Sequence, residues 1–159
     1  MAFVGRIILL VAVGMNMWMF NMSKAAAEFD VDVAKIVARV VSDRSWVVAW
    51  QDQDSALMFN TRFVYVDGSK EKPKLDVWEA YVVNNEISSV FRKRYYYGKN
   101  KVQDKTLMFA NFYNNSIDEC YQTGITASKK DIKTGSVGDI VQKKVYNTCY
   151  SLGYLNVLK

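Results

Sequence analysis
Residues 91–101 read Phe-Arg-Lys-Arg-Tyr-Tyr-Tyr-Gly-Lys-Asn-Lys, five cations and four aromatic rings in eleven positions. Cations attract anions over a range set by salt, and aromatic rings offer flat apolar faces with polar edges. Together they suit a surface that binds an anionic partner. Arg92, Lys93, Arg94, Tyr95, Tyr96, Tyr97, Lys99 and Lys101 are therefore the candidate binding patch. The competing reading is an exposed hairpin whose tyrosines partly cover the core and whose cations face water, because charged runs usually mark a solvated surface.

Catalytic sets are incomplete. The chain has no histidine, which excludes an imidazole base and histidine-ligated metals. Asp52, Asp54, Asp118, Glu119, Asp131 and Asp139 supply carboxylates, but none stands in a recognisable pair. Gln51-Asp52-Gln53-Asp54 lacks the glycine and the distant glutamate of a calcium loop. Ser136 stands in the order Gly-Ser-x-Gly, which is not a nucleophile elbow, and reads better as a helix cap. No catalytic residue, cofactor or metal is assigned, and the chain reads as a non-enzyme.

The elements that must carry these residues are mostly short strands. Val33, Ile36, Val37, Val40 and Val41 recur at helical spacing, so 28–41 reads as a short helix capped by Asp30 or Asp32, with a strand as the alternative because Phe29, Val31 and Val33 also alternate. Trp46, Val48 and Trp50 alternate, as do Thr61, Phe63 and Tyr65 before a turn at Asp67-Gly68. In 74–84, Trp78, Ala80 and Val82 share one face, and Val77, Tyr81 and Val83 the other. Runs at 89–97, 105–113 and 117–127 follow, separated by Gly98-Lys99-Asn100 and Asn114-Asn115. Such short connections predict antiparallel pairing, and Trp46, Trp50 and Trp78 are expected in the core. Val137, Val141, Val145 and Cys149 then recur every fourth residue, predicting a helix begun by Ser136 and Asp139, with Gln142, Lys143 and Lys144 toward solvent. Gly153 looks too late to end it.

Residues 1–27 join a basic start at Arg6, an apolar run at 7–20 and the triplet Ala25-Ala26-Ala27, the parts of a cleavable signal peptide. An uncleaved membrane anchor is the alternative. Without this segment the formal net charge drops from +5, because its only charged residues are Arg6 and Lys24. Export to an oxidising compartment makes the two cysteines, Cys120 and Cys149, an expected disulfide. Such a bridge would contribute about 3.5 kcal/mol by the chain-entropy relation.

The segments KLDVWEAYVV (74–83), SIDECYQTGIT (116–126) and DIKTGSVGDIVQKKVYNTC (131–149) resemble, in this order, the surface-adhesin protein E family of bacterial envelope proteins. The resemblance covers roughly residues 44–150. It implies an antiparallel sheet with a C-terminal helix, an envelope location and adhesion to host extracellular proteins. This chain departs from the family's namesake in having no lipoprotein cysteine, and its stretch between Cys120 and Gly135 is short.

The combined expectation is an α+β protein: a signal peptide over 1–27, then one adhesin-E-like domain over 28–159. That domain holds an antiparallel sheet, a C-terminal helix on one face and one disulfide. It would be exported, to the periplasm or the cell surface, as a binding module and candidate adhesin. The alternative is a periplasmic structural or inhibitory partner protein with no host ligand. Expected partners are a protein, an anionic glycan or lipid surface, or a second copy of the chain. Nucleic acid is not expected, and membrane contact would come only through an uncleaved N-terminus.

Overall fold
The structure, a computed structural model, describes residues 29–124 and 127–159. The expected signal peptide or anchor lies outside the described residues. Among the described residues no helix is long and apolar enough to cross a membrane.

The elements run α1 (Val31–Val41), β1 (Trp46–Gln51), β2 (Ser55–Asn60), β3 (Tyr65–Ser69), β4 (Lys72–Val83), β5 (Glu86–Tyr97), β6 (Val102–Tyr113), β7 (Ser116–Gln122), β8 (Lys130–Asp131), α2 (Val137–Ser151) and a 3-10 turn (Tyr154–Val157). All eight strands form one antiparallel sheet in the order β1-β2-β4-β5-β6-β7. β3 continues beside β4 past the end of β2, and β8 pairs with the start of β6. The architecture is α+β, with the C-terminal helix packed on one face.

Alternation along β4 divides the interior in two. Trp78 and Ala80 join Val33, Val37 and Val40 of α1 on one face, with Val90, Met108, Ala110 and Cys120. Leu75 and Val77 face the other way, toward Val141, Val145 and Cys149 of α2, with Phe59 and Tyr95. The sheet is thus covered on both faces, each by one amphipathic helix.

That division overturns the expected disulfide. Cys120 and Cys149 are both free and buried, and they belong to the two separate cores. Cys120 points toward α1, where its thiol donates to the Asp30 carbonyl at 3.2 Å. A strand side chain on one face cannot bridge to a helix lying on the other.

Local chemistry explains the element ends. Asp30 caps α1 by accepting from the amides of Asp32 and Val33, at 2.9 and 3.1 Å. Ser136 caps α2 by accepting from the Asp139 amide, while Asp139 accepts from the Gly135 amide at 2.9 Å. Gly153, expected to lie past the helix, takes φ +76° directly after the Leu152 cap and ends α2. Asn84-Asn85 and Asn114-Asn115 all have positive φ, as tight two-residue hairpins require. Gln142 is buried rather than solvent-facing, its amide donating to Asp139 at 2.9 Å. A bulge at Ala49 shifts the register of β1, so Trp46 packs on the α1 core and Trp50 on the α2 core instead of sharing a face.

Candidate functional site
The candidate patch at 92–101 falls on β5 and the turn that follows, and alternation splits it. Arg92, Arg94 and Tyr96 lie on the α1 face, while Lys93, Tyr95 and Tyr97 lie on the α2 face. Each half then meets acids. Asp76 on β4, only 2% exposed, accepts from Arg94 Nη2 at 2.8 Å and from Arg92 Nη2 at 3.2 Å. On the other face Lys93 Nζ sits 3.2 Å from Glu79 Oε2 and 3.6 Å from Asp104 Oδ2. The buried Tyr95 hydroxyl donates to the other oxygen of Glu79. Burial pulls the Lys93 ammonium toward neutrality, but Glu79 and Asp104 outweigh it and hold its pKa above the ordinary lysine value. Tyr97 donates to the Gln142 carbonyl at 3.1 Å and packs at a tilt against Tyr146, ring centroids 4.9 Å apart, so it anchors α2. Tyr95 is therefore buried, and Arg92, Lys93, Arg94 and Tyr97 are half-buried groups already paired within the fold. Lys99 and Lys101 are exposed.

The same face that carries Asp76 and Arg94 leads outward to a different constellation. Cross-strand rows on this face run Trp78–Arg92–Met108, then Asp76–Arg94–Lys105, then Lys74–Tyr96–Gln103. The last row opens into a cleft of about 260 Å³ lined by Lys72, Pro73, Lys74, Tyr96, Tyr97, Gly98, Lys101, Gln103 and Lys129. Four of its lining residues are lysines and none is acidic. Lys74 reaches Asp67 at 3.5 Å, and Lys101 reaches Asp131 at 3.1 Å, both outside the lining. Gln103 also donates to Asp131, at 2.6 Å, and these contacts hold that carboxyl below its ordinary pKa. Lys129 instead places its ammonium 3.9 Å from the Tyr96 ring centroid, a cation–π contact. Among the described residues Lys72 and Lys129 have no carboxylate partner.

The cleft belongs to a wider segregation of charge. Segments 45–61, 75–91 and 106–128 contain no lysine or arginine. The turns inside these segments, at Asp52-Gln53-Asp54, Asn84-Asn85 and Asn114-Asn115, lie at one end of the sheet, together with Glu86. Lys70, Lys72, Lys74, Lys99, Lys101, Lys129 and Lys130 gather at the opposite end, where they outnumber Asp67, Glu71, Asp104 and Asp131. At the acidic end Asp52 spends its carboxylate on the Asp54 and Ser55 amides and the Ser55 hydroxyl, at 3.1, 2.8 and 2.8 Å. No group of three or more acidic or cysteine side chains among the described residues could hold a metal.

Of the candidate patch, the cleft retains Tyr96, Tyr97 and Lys101. It adds Lys72, Lys74, Gln103 and Lys129. Lys72 and Lys74 stand two apart on a strand, so their shared face was available from alternation. Lys129 reaches the cleft only through the pairing of β8 with β6, which involves two residues on each strand.

Comparison with family models, with curated proteins and with solved structures finds no match.

Proposed function
We propose that this chain is an exported envelope protein that acts as a non-enzymatic binding module, and that its basic end captures an anionic partner. The observation that carries this reading is the cleft: four lysines, no lining carboxylate, and two ammonium groups without an acidic partner among the described residues. Cations gathered at one end of a domain raise the local concentration of anions and steer their approach. The apolar run and alanine triplet of residues 1–27 support export. The resemblance to surface-adhesin protein E relatives supports an envelope role, and adhesion to a host extracellular component is the specific form we favour. Chemistry is left to other proteins in this reading, because Glu79, Lys93 and Asp104 spend their charges on one another and the Tyr95 hydroxyl donates to Glu79.

Retention of the full chain on an immobilised sulfated polysaccharide tests the anionic-partner claim. The Lys72→Ala/Lys129→Ala variant should bind about 5- to 30-fold more weakly, as expected for two exposed ion contacts of about 0.5–1 kcal/mol each. Lys35→Ala, on α1 and paired with Asp32, should behave as the parent. Equal loss from both variants, or no retention at all, would remove the cleft from the account.

A further inference from the structure
Resting on that reading, we infer that the cleft takes one ring of an acidic sugar, with its carboxylate, sulfate or phosphate on the lysines and its apolar face on Tyr96. Three observations point there. The first is the coexistence of an aromatic wall and cations in one recess, Tyr96 standing between Lys74 and Gln103 across the strands. A bare anion needs only the cations, whereas a sugar ring also presents C–H groups to an aromatic face. The second is size. About 260 Å³ falls just below the ~300–1,000 Å³ of pockets for drug-sized ligands, so it suits a single ring and not an extended oligomer.

The third observation is the position of Lys129. Its ammonium covers the Tyr96 ring at 3.9 Å and has no carboxylate partner among the described residues. The residue is exposed and lies outside the strands, so its side chain can swing from ring to anion. One movement would then uncover the stacking face and supply a cation. Gln103 uses its amide N–H₂ on Asp131, which leaves its carbonyl oxygen to accept from a sugar hydroxyl.

The choice of cation fits the same ligand. The two arginines of the run, whose planar forks would clamp an oxyanion bidentately, are committed to Asp76. Lysines hold anions as point charges without demanding one orientation. Each site is therefore weak, and a polymer repeating the acidic sugar gains affinity by rebinding. Single-stranded nucleic acid is a poorer fit, because it uses successive stacking platforms and the cleft offers the single face of Tyr96, uncovered only when Lys129 moves.

Titration of the full chain, followed by calorimetry and NMR, would compare five probes: a monosulfated disaccharide, its unsulfated parent, inorganic sulfate, anionic phosphatidylglycerol vesicles and an oligothymidylate. The sulfated disaccharide should bind at least tenfold more tightly than its parent and than sulfate. Tyr96→Ala should weaken it at least fivefold while leaving sulfate binding unchanged. Cross-relaxation between sugar ring protons and the Tyr96 ring gives the same information without a substitution. Equal binding of sulfate and the sulfated sugar, or no contact with Tyr96, would overturn the sugar assignment while sparing the anion-binding reading. Preference for the vesicles or the oligothymidylate would overturn it in favour of those partners. Absence of binding by every anion would overturn both.

Discussion

Asp76 and Glu79 stand three residues apart on one strand and point to opposite faces of the sheet, each taking charge from β5. Lys93→Met would leave Glu79 buried with only Tyr95, so we expect a loss of about 3–5 kcal/mol in denaturant unfolding. Asp76→Asn should also destabilise, yet it frees Arg92 and Arg94 and should raise the salt needed to elute the protein from a polyanion. Those opposite signs separate a structural acid from a binding one. The cysteines make a sharper residue-scale prediction. Burial raises the Cys149 thiol to about 11, and both thiols are enclosed. An aromatic disulfide reagent should therefore find no reactive thiol in the native, unreduced protein and two per chain after denaturation. No thiol after denaturation would mean a bridge. The expectation of a bridge followed from compartment and count, which say nothing about which face of a sheet a cysteine occupies.

At the scale of elements, the cap of α2 is the most exposed to test. Ser136→Ala removes the acceptor for the Asp139 amide and should cost about 1 kcal/mol, measured by chemical unfolding. Asp139 is held at about 2, first by Lys143 and then by the Gly135 amide, and Asp43 at about 2, first by the Ser45 amide and then by Asn60. Both folded values lie below the ordinary 3.8, so their stabilisation is complete above pH 4 and is lost as pH falls toward 2. The thermal midpoint should drop across that window, and Asp139→Asn should flatten part of the drop. At alkaline pH the sign reverses. Burial raises Cys149 from 9.0, and burial followed by Glu79 raises Tyr95 well above 10.0. The unfolded chain releases these protons first, so stability should decline from pH 9 upward.

The sequence made some elements plain and hid others. The alternation of 74–84 and the paired asparagine turns follow directly from steric rules, and β4, β5 and β6 form on them. β1 misleads because one bulge at Ala49 flips Trp50, and a bulge leaves no signature in a six-residue strand. β2, Ser55–Asn60, carries Leu57, Met58 and Phe59 in succession, so alternation does not mark it. The division of the 91–101 run needed only the two-residue period of a strand, but a dense cluster of like charges draws the eye as one patch.

The whole molecule turns a modest net charge into a dipolar object. A small net positive charge spread evenly would do little, whereas the hairpins carry an excess of lysines to one end and leave the end with the paired-asparagine turns without a lysine or arginine. Each helix shields a separate core, which leaves the sheet ends to meet partners. The central claim is that anions are held by the lysine cleft and not by the arginines of the aromatic run. It is tested most directly by the affinity of the full chain for one sulfated oligosaccharide, measured in parallel for Lys72→Ala/Lys129→Ala and for Arg92→Ala. The account predicts that the lysine pair variant loses binding by about 5- to 30-fold while Arg92→Ala, which leaves Arg94 on Asp76, binds as the parent does. A loss confined to Arg92→Ala, with the lysine pair variant unaffected, would contradict it.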